Sequence, residues 1–97
     1  MQNISSNPMT TLYYKRHYDE RRIEKSETWG TCEYYLESNQ NGEILRQIEI
    51  YKNGKRSKYS EELIEDEFGF LADQNIDLLE FEKFTINKTD FEYQWGK

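Results

Sequence analysis

Two Asn-Gly pairs in the middle of the chain, Asn41-Gly42 and Asn53-Gly54, constrain the fold more than any other sequence feature. Asn and Gly tolerate the left-handed backbone that tight turns between antiparallel strands require. The segments that flank the pairs alternate apolar and polar residues, as strands with one buried face do. The pattern therefore predicts an antiparallel meander with strands over residues 31–36, 43–51 and 55–59.

The second Asn-Gly pair has the flanks of a two-residue loop. With Asn53-Gly54 as that loop, Ile48 lies opposite Tyr59 and Glu49 lies opposite Lys58. An apolar pair then meets on the inner face and an ion pair on the outer face, so we predict this register.

The first Asn-Gly pair allows two loop lengths. A two-residue loop would place Ile50 opposite Glu33 and bury a carboxylate. A three-residue loop over residues 40–42 places Ile50 opposite Cys32 instead, and puts Gly42 where a bulged loop needs a left-handed residue. We predict the three-residue loop.

The N-terminal part of the chain contributes a further strand. Residues 11–18 are rich in Tyr and Thr and predict a strand. Residues 19–28 are highly charged and fit either an extension of that strand or a loop. Residues 1–10 are polar, contain the single proline and predict a flexible tail. We expect residues 11–97 to form one domain.

Two short helices are predicted near the C-terminus. Asp77 followed by Glu80 forms a capping box, and Asn87 repeats the capping residue ten positions later. The helices supply the aromatic residues Phe81, Phe84, Phe91 and Trp95. We expect an α+β fold, an antiparallel three- or four-stranded meander with short C-terminal helices packed on one face.

The charge is divided unevenly along the chain. Residues 1–60 carry ten Lys/Arg and eight Asp/Glu, a net charge of +2, whereas residues 61–97 carry three Lys and eleven Asp/Glu, a net charge of −8. An acidic surface with exposed tyrosines suits a basic protein partner, because carboxylates steer and Tyr supplies contact area. The predicted partner-binding residues are Glu33, Tyr35, Glu37, Glu49, Tyr51, Glu65, Asp66 and Glu67.

No residue pattern indicates catalysis, a metal or a cofactor. His17 is the single histidine, and the predicted strands put it on the face opposite Cys32, the single cysteine. The segment 73–77 resembles the start of a calcium loop, but Leu78 stands where Gly is needed and Phe84 where Glu is needed. We predict that the chain is not an enzyme and binds no metal and no cofactor.

Location and other partners follow from composition. No apolar run reaches the roughly 18 residues of a membrane span, and residues 1–10 lack the basic start and apolar stretch of a signal peptide. We expect a cytoplasmic protein that does not bind membranes. Basic and aromatic residues alternate over residues 13–25 and could hold a single nucleic-acid strand. Because carboxylates interrupt this patch and the chain is acidic, we expect nucleic-acid binding to be the weaker hypothesis.

Three segments carry a resemblance to a known group of proteins: residues 29–35 (WGTCEYY), residues 42–51 (GEILRQIEIY) with Asn53-Gly54, and residues 86–95 (INKTDFEYQW). They resemble a family of small bacterial domains of unknown function. Such domains are similar in size and charge to toxin-immunity proteins, which block a secreted nuclease by covering its basic site. The resemblance implies a protein-binding module or inhibitor that neutralises a basic partner such as a nuclease toxin. The alternative is a small non-catalytic subunit or adaptor of a larger assembly.

Overall fold

The computed structural model describes residues 11–19 and 29–97, and four of its strands form one antiparallel sheet in chain order. These strands are β1 (Leu12–Tyr18), β2 (Cys32–Ser38), β3 (Ile44–Tyr51) and β4 (Arg56–Ser60). A small hairpin of β5 (Glu65–Asp66) and β6 (Gly69–Phe70) follows, and then helix α1 (Leu78–Phe81), a 3-10 turn (Glu82–Phe84) and helix α2 (Lys88–Trp95).

The α+β class and the antiparallel meander are confirmed. The predicted tail, residues 1–10, lies outside the described residues. So do residues 20–28 of the charged segment that fitted either a strand extension or a loop. No helix within residues 11–19 and 29–97 is long and apolar enough to cross a membrane.

The loop between β3 and β4 has three residues, not the two predicted. The Tyr51 amide donates to the Lys55 carbonyl over 2.9 Å, and Gly54 closes the loop with a φ of 95°. A left-handed glycine at the end of a three-residue loop is a common hairpin geometry. It moves the register by one residue, so that Ile48 pairs with Lys58 and the predicted pairing of Ile48 with Tyr59 is wrong.

The loop between β2 and β3 is the predicted three-residue loop, but a β-bulge follows it. The Asn39 amide donates to the Glu43 carbonyl over 3.1 Å, and Gly42 has a φ of 87°. Leu45, the second residue of β3, has no partner in β2. The pairs on either side of it are Ser38–Ile44 and Glu37–Arg46.

This bulge shifts the pairing of β2 and β3 by one residue from the register that the loop alone would give. Past Leu45, Ile48 pairs with Tyr35 and Ile50 pairs with Glu33. The predicted pairing of Ile50 with Cys32 is therefore wrong. An extra residue in one strand moves every later side chain of that strand to the other face relative to its neighbour.

Both faces of the sheet are covered. One face, here called the helix face, carries Tyr13, Tyr35, Arg46 and Ile48, which pack against Phe91 of α2. The other, here called the hairpin face, is covered by residues between 66 and 84. It carries the side chains of Tyr14, Leu36, Gln47, Glu49, Tyr51 and Tyr59.

The two helices lie on opposite faces of the sheet, which differs from their predicted placement on one face. The ring of Tyr13 lies 5.3 Å from that of Phe91 in α2, whereas the ring of Tyr14 lies 5.7 Å from that of Phe81 in α1. Neighbouring residues of a strand point to opposite sides. The chain must therefore cross from one face to the other between α1 and α2, and residue Thr85 makes this crossing as an isolated bridge partner of Tyr14.

The predicted helix starts are confirmed. The Asp77 carboxylate accepts hydrogen bonds from the amides of Leu79 and Glu80, and the Asn87 side chain accepts one from the Asp90 amide. These bonds satisfy amides that have no partner inside a helix.

Helix α2 is held to the helix face at its C-terminal end by cations of the sheet. Arg56 donates to the Gln94 carbonyl and Lys58 donates to the Trp95 carbonyl, each over 2.7 Å. The helix has no basic residue in its own last turn. The strand cations therefore complement the negative end of its dipole.

The packing of α2 predicts a matched pair of stability effects. Phe91 is 0% exposed and Tyr93, two residues further along the same helix, is 64% exposed. We expect Phe91→Ala to lower the free energy of unfolding by about 3–5 kcal/mol, because it leaves a cavity in the core. We expect Tyr93→Ala to change it by about 0.5 kcal/mol or less. Urea unfolding followed by circular dichroism measures both, and equal losses for the two variants would contradict the packing of α2.

Candidate functional site

The five predicted sheet residues of the partner surface do not form one exposed face. Tyr35, Glu37, Glu49 and Tyr51 are buried, with between 3% and 9% of their surface exposed. Glu33 is the exception, with 35% of its side chain accessible. Their predicted outward position is wrong for two reasons: the bulge puts the β2 and β3 residues on different faces, and both faces are covered.

Buried Glu37 is neutralised within the fold. Its carboxylate accepts hydrogen bonds from Nε and Nη2 of Arg46, over 2.6 and 3.0 Å. Glu92 of α2 accepts from the same guanidinium, which also lies 4.8 Å from the ring centre of Phe91 and 4.9 Å from that of Trp95. The hydrogen bonds that Arg46 donates to Glu37 and Glu92 raise the pKa of Arg46, and the bond to Arg46 lowers the pKa of Glu92. This cluster links the sheet to helix α2.

Buried Glu49 has a different environment. The residue is 5% exposed. Its carboxylate accepts hydrogen bonds from the Gln47 amide and the Tyr51 hydroxyl, each over 2.6 Å. Both donors are neutral groups. Burial and the bond to Glu49 raise the pKa of Tyr51, so its phenol keeps the proton that it donates. Within residues 11–19 and 29–97, no Lys, Arg or His forms an ion pair with Glu49.

Glu49 lines a pocket on the hairpin face. The pocket has a volume of about 250 Å³ and lies between β2 and β3 on one side and β6 on the other. Its aromatic lining residues are Tyr34, Tyr51, Phe68 and Phe70.

The strongest exposed feature is the segment 61–71, here called the acidic hairpin. It contains the turn after β4 and the strands β5 and β6, and every residue from 61 to 67 is exposed. Asp66 stabilises the turn of the acidic hairpin, because its carboxylate accepts hydrogen bonds from the Tyr59 hydroxyl and from the amides of Phe68 and Gly69. The other four carboxylates, those of Glu61, Glu62, Glu65 and Glu67, form no ion pair with any residue in the described ranges.

Apolar side chains are exposed among these carboxylates. Leu63 is 49% exposed, Ile64 57% and Phe70 59%. In the described part of the chain, three of the five exposed large hydrophobic residues therefore belong to the acidic hairpin, the others being Leu79 and Tyr93. Exposed apolar residues that cluster within a polar rim are typical of an interaction surface.

Residues 13–25 are the segment predicted to bind nucleic acid. Those of its basic residues that the structure describes lie on both faces of the sheet. Lys15 and His17 lie on the helix face, and Arg16 lies on the hairpin face. Arg16 is bound to Glu80 over 2.9 Å and its guanidinium lies 4.8 Å from the ring centres of both Phe81 and Phe84. The members of this segment between residues 20 and 25 lie outside the described residues. The described members do not share one surface.

His17 and Cys32 lie on opposite faces, as predicted. Burial raises the pKa of the Cys32 thiol to about 12, with a contribution from Glu49, so the thiol stays protonated and is a weak nucleophile. His17 is paired with the carboxylates of Glu33 and Asp19. In residues 11–19 and 29–97, no three His, Cys, Asp or Glu side chains are grouped so that they could hold a metal ion. Absence of enzyme activity and of a cofactor stays a prediction.

The sequence analysis found the carboxylates of the acidic hairpin but missed its apolar residues and the pocket beneath it. Leu63-Ile64 and Phe68-Gly69-Phe70 stand inside the acidic run, and this mixture was the available signal. The burial of Glu49 was missed because the sequence analysis took its face of the sheet as exposed, whereas residues after β4 cover that face.

Comparisons of the chain with protein-family models, with curated proteins and with solved structures find no match. The resemblance to small bacterial domains and the likeness to immunity proteins therefore stay predictions.

The environment of His17 predicts a measurable titration. Its pKa is raised above the ordinary value of 6.5, chiefly by the hydrogen bond to Glu33 and then by the bond to Asp19. The stabilisation that protonated His17 provides is therefore fully present below pH 6.5 and is lost as the pH rises through the folded-state pKa. We expect NMR titration to give a pKa above 6.5, and Glu33→Gln to lower it more than Asp19→Asn does. An unchanged pKa in Glu33→Gln would contradict this pairing.

Proposed function

We propose that the chain is a protein-binding module that recognises a basic protein through the acidic hairpin. The observation that supports this most directly is the combination of unpaired carboxylates with exposed apolar side chains in one short segment. A surface used only for solubility needs the charges and not Leu63, Ile64 and Phe70.

The division of charge inside the protein favours the hairpin over the rest of the surface. Glu37, Glu80 and Glu92 each bind an arginine of the same chain, and Glu33 binds His17 and lies near Lys15. Their charges are already compensated. Glu61, Glu62, Glu65 and Glu67 of the acidic hairpin form no ion pair with the described residues and remain for an external cation. A concentrated negative charge speeds the encounter with a basic protein.

An immunity-type inhibitor is the form of this function that we propose. A nuclease binds its substrate through a basic site, because it must contact phosphates. An acidic, partly apolar hairpin would occupy such a site by charge and then exclude water with Phe70 and Ile64. A non-catalytic subunit or adaptor would use the same surface without inhibiting anything. An inhibition assay therefore separates the two.

The proposed role predicts a difference between two charge-reversed variants of equal net charge. Glu65 and Glu67 lie in the hairpin and form no ion pair within the described ranges, and Glu82 and Asp90 lie outside it on the 3-10 turn and on α2. We expect Glu65→Lys with Glu67→Lys to slow association with the basic partner by about tenfold or more at low salt. We expect Glu82→Lys with Asp90→Lys to slow it far less. Asp66 is left unchanged because it holds the turn.

The partner is obtained by capture from native cells on the immobilised wild-type chain, followed by mass spectrometry and by surface plasmon resonance with the purified protein. A supporting result is a basic protein whose association slows as salt rises past a Debye length of about 10 Å at 0.1 M, with nuclease activity that one equivalent of the chain inhibits. An acidic partner, or equal association rates for the two double variants, would refute the role of the hairpin.

A further inference from the structure

Strand β4 lies at one edge of the sheet, and the hydrogen-bond pattern determines which of its backbone groups face outwards. The Tyr51 amide donates to the Lys55 carbonyl over 2.9 Å, so these two residues form a hydrogen-bonded pair. In antiparallel strands such pairs alternate with pairs that exchange no hydrogen bonds. This alternation turns the backbone groups of Ser57 towards β3 and those of Arg56 and Lys58 away from it.

The end of β4 supports this alternation. Ser60 faces outwards by the same count, and its amide and carbonyl bond to the carbonyl and amide of Leu63, each over 3.1 Å. The chain after β4 therefore closes the edge at Ser60. Among residues 11–19 and 29–97, no backbone group bonds to the outward N–H and C=O groups of Arg56 and Lys58. Within the described part of the chain, these groups form an open strand edge.

The side chains of Arg56 and Lys58 are fixed on the helix face beside this edge. Arg56 donates to the Gln94 carbonyl and Lys58 donates to the Trp95 carbonyl, each over 2.7 Å. In antiparallel pairs, opposite charges directly across from each other are stabilising and like charges are destabilising. A second copy of β4, or any strand with cations at these positions, is therefore disfavoured. A strand with carboxylates opposite Arg56 and Lys58 is favoured.

The charge of the surrounding segment has the same sign. Residues 52–58 (KNGKRSK) contain four cations and no acidic residue. Lys55 is turned to the hairpin face, where its ammonium lies 4.1 Å from the ring centre of Phe68. The other three, Lys52, Arg56 and Lys58, form no ion pair with any residue in the described ranges. The open edge therefore lies among cations that attract an acidic segment.

We propose that the open edge of β4 binds an extended acidic peptide segment of a second partner by antiparallel strand addition. Backbone hydrogen bonds hold such a segment, and its side chains give specificity. Its two acidic residues lie two positions apart, because Arg56 and Lys58 do, and the residue between them lies opposite Ser57. This charge is opposite to that of the basic protein proposed for the acidic hairpin, so the inference does not rest on that function.

The first experiment tests whether the edge is open. In the free full-length chain, we expect the amides of Arg56 and Lys58 to exchange with deuterium at least about tenfold faster than those of Ser57 and Tyr59, which face β3. NMR measures each amide separately. Equal protection of all four amides would overturn the proposal, because it would show that the edge is already covered.

The second experiment uses a peptide of threonine, glutamate, valine, glutamate and threonine with both ends blocked. We expect saturable shifts of the Arg56 and Lys58 amides and slower exchange of both. The matched peptide with lysine in place of the two glutamates should bind about tenfold more weakly, because it brings like charges together. No saturable shift, or equal binding of the two peptides, would overturn the proposal.

N-methylated forms of the glutamate peptide test the strand addition itself. Methylation of both glutamate nitrogens removes the donors that would face β4, and we expect it to weaken binding about tenfold or more. Methylation of the valine nitrogen, which would face away from β4, should weaken binding far less. Equal binding of all three forms would show that charge alone holds the peptide, and would overturn strand addition.

A pair of variants tests the cation. Lys58→Gln should weaken binding of the glutamate peptide about threefold. Lys88→Gln removes the same charge at the first residue of α2, at the opposite end of that helix from Trp95, and should leave binding unchanged. Equal effects of the two variants would contradict the site. Urea unfolding establishes that both variants are folded, and the peptide comparisons on the wild-type chain do not depend on it.

Other occupants of the edge are distinguished on the wild-type chain. We expect sedimentation of a monomer, and no displacement of the glutamate peptide by single-stranded oligothymidylate. Displacement by the oligonucleotide would show that the cations serve nucleic-acid binding, and would overturn a peptide as the occupant. A dimer in which the Arg56 and Lys58 amides are protected would identify a second copy as the occupant and would overturn the proposal as well.

Discussion

The β-bulge at Leu45 is the constraint on which the rest of the structure depends. It places Ile48 opposite Tyr35 on the helix face and thereby leaves Gln47, Glu49 and Tyr51 on the hairpin face. Without it, Glu49 would lie opposite Glu33 on the helix face, and Arg46 would lie opposite Leu36 on the hairpin face, away from Glu37. One unpaired residue thus decides which carboxylate is neutralised by the chain and which borders a pocket. Bulges near functional sites have this effect in general, because they redirect the side chains that follow.

This chain covers both faces of its sheet with a hydrophobic fraction of 35%, so large apolar side chains alone do not fill the interior. Large aromatic residues supply part of it, and buried polar groups fill the remainder: Glu37, Ser38, Gln47, Glu49 and Ser57. Such groups are tolerated when they are hydrogen-bonded. Glu37 meets this condition with Arg46, whose charge compensates it. In the described part of the chain, Glu49 meets it with neutral donors and has no ion-pair partner.

Most local signals in the sequence predicted local structure correctly, with the exception of the loop at Asn53-Gly54, which has three residues and not two. The other errors arose where contacts between distant residues decide. The caps at Asp77 and Asn87 and the loop over residues 40–42 depend on a few neighbouring residues, and each is confirmed. The bulge at Leu45 has no such signature, because no Gly or Pro marks it and its cause is the packing of both faces at once. The sequence composition predicted the acidic charge of the hairpin. Exposure of Phe70 was not, since an isolated aromatic residue in a short sequence is as readily buried as exposed.

Gln47 connects the buried carboxylate to the exposed hairpin through one amide group. Its nitrogen donates to Glu49 over 2.6 Å and to the Phe70 carbonyl over 3.3 Å, and its oxygen accepts from the Ala72 amide over 2.9 Å. Residues 70 and 72 are therefore held by the same side chain that solvates Glu49. These three hydrogen bonds join the carboxylate of Glu49 to Phe70 in the acidic hairpin and to Ala72 just after it. The pocket and the hairpin are for this reason physically coupled parts of one surface.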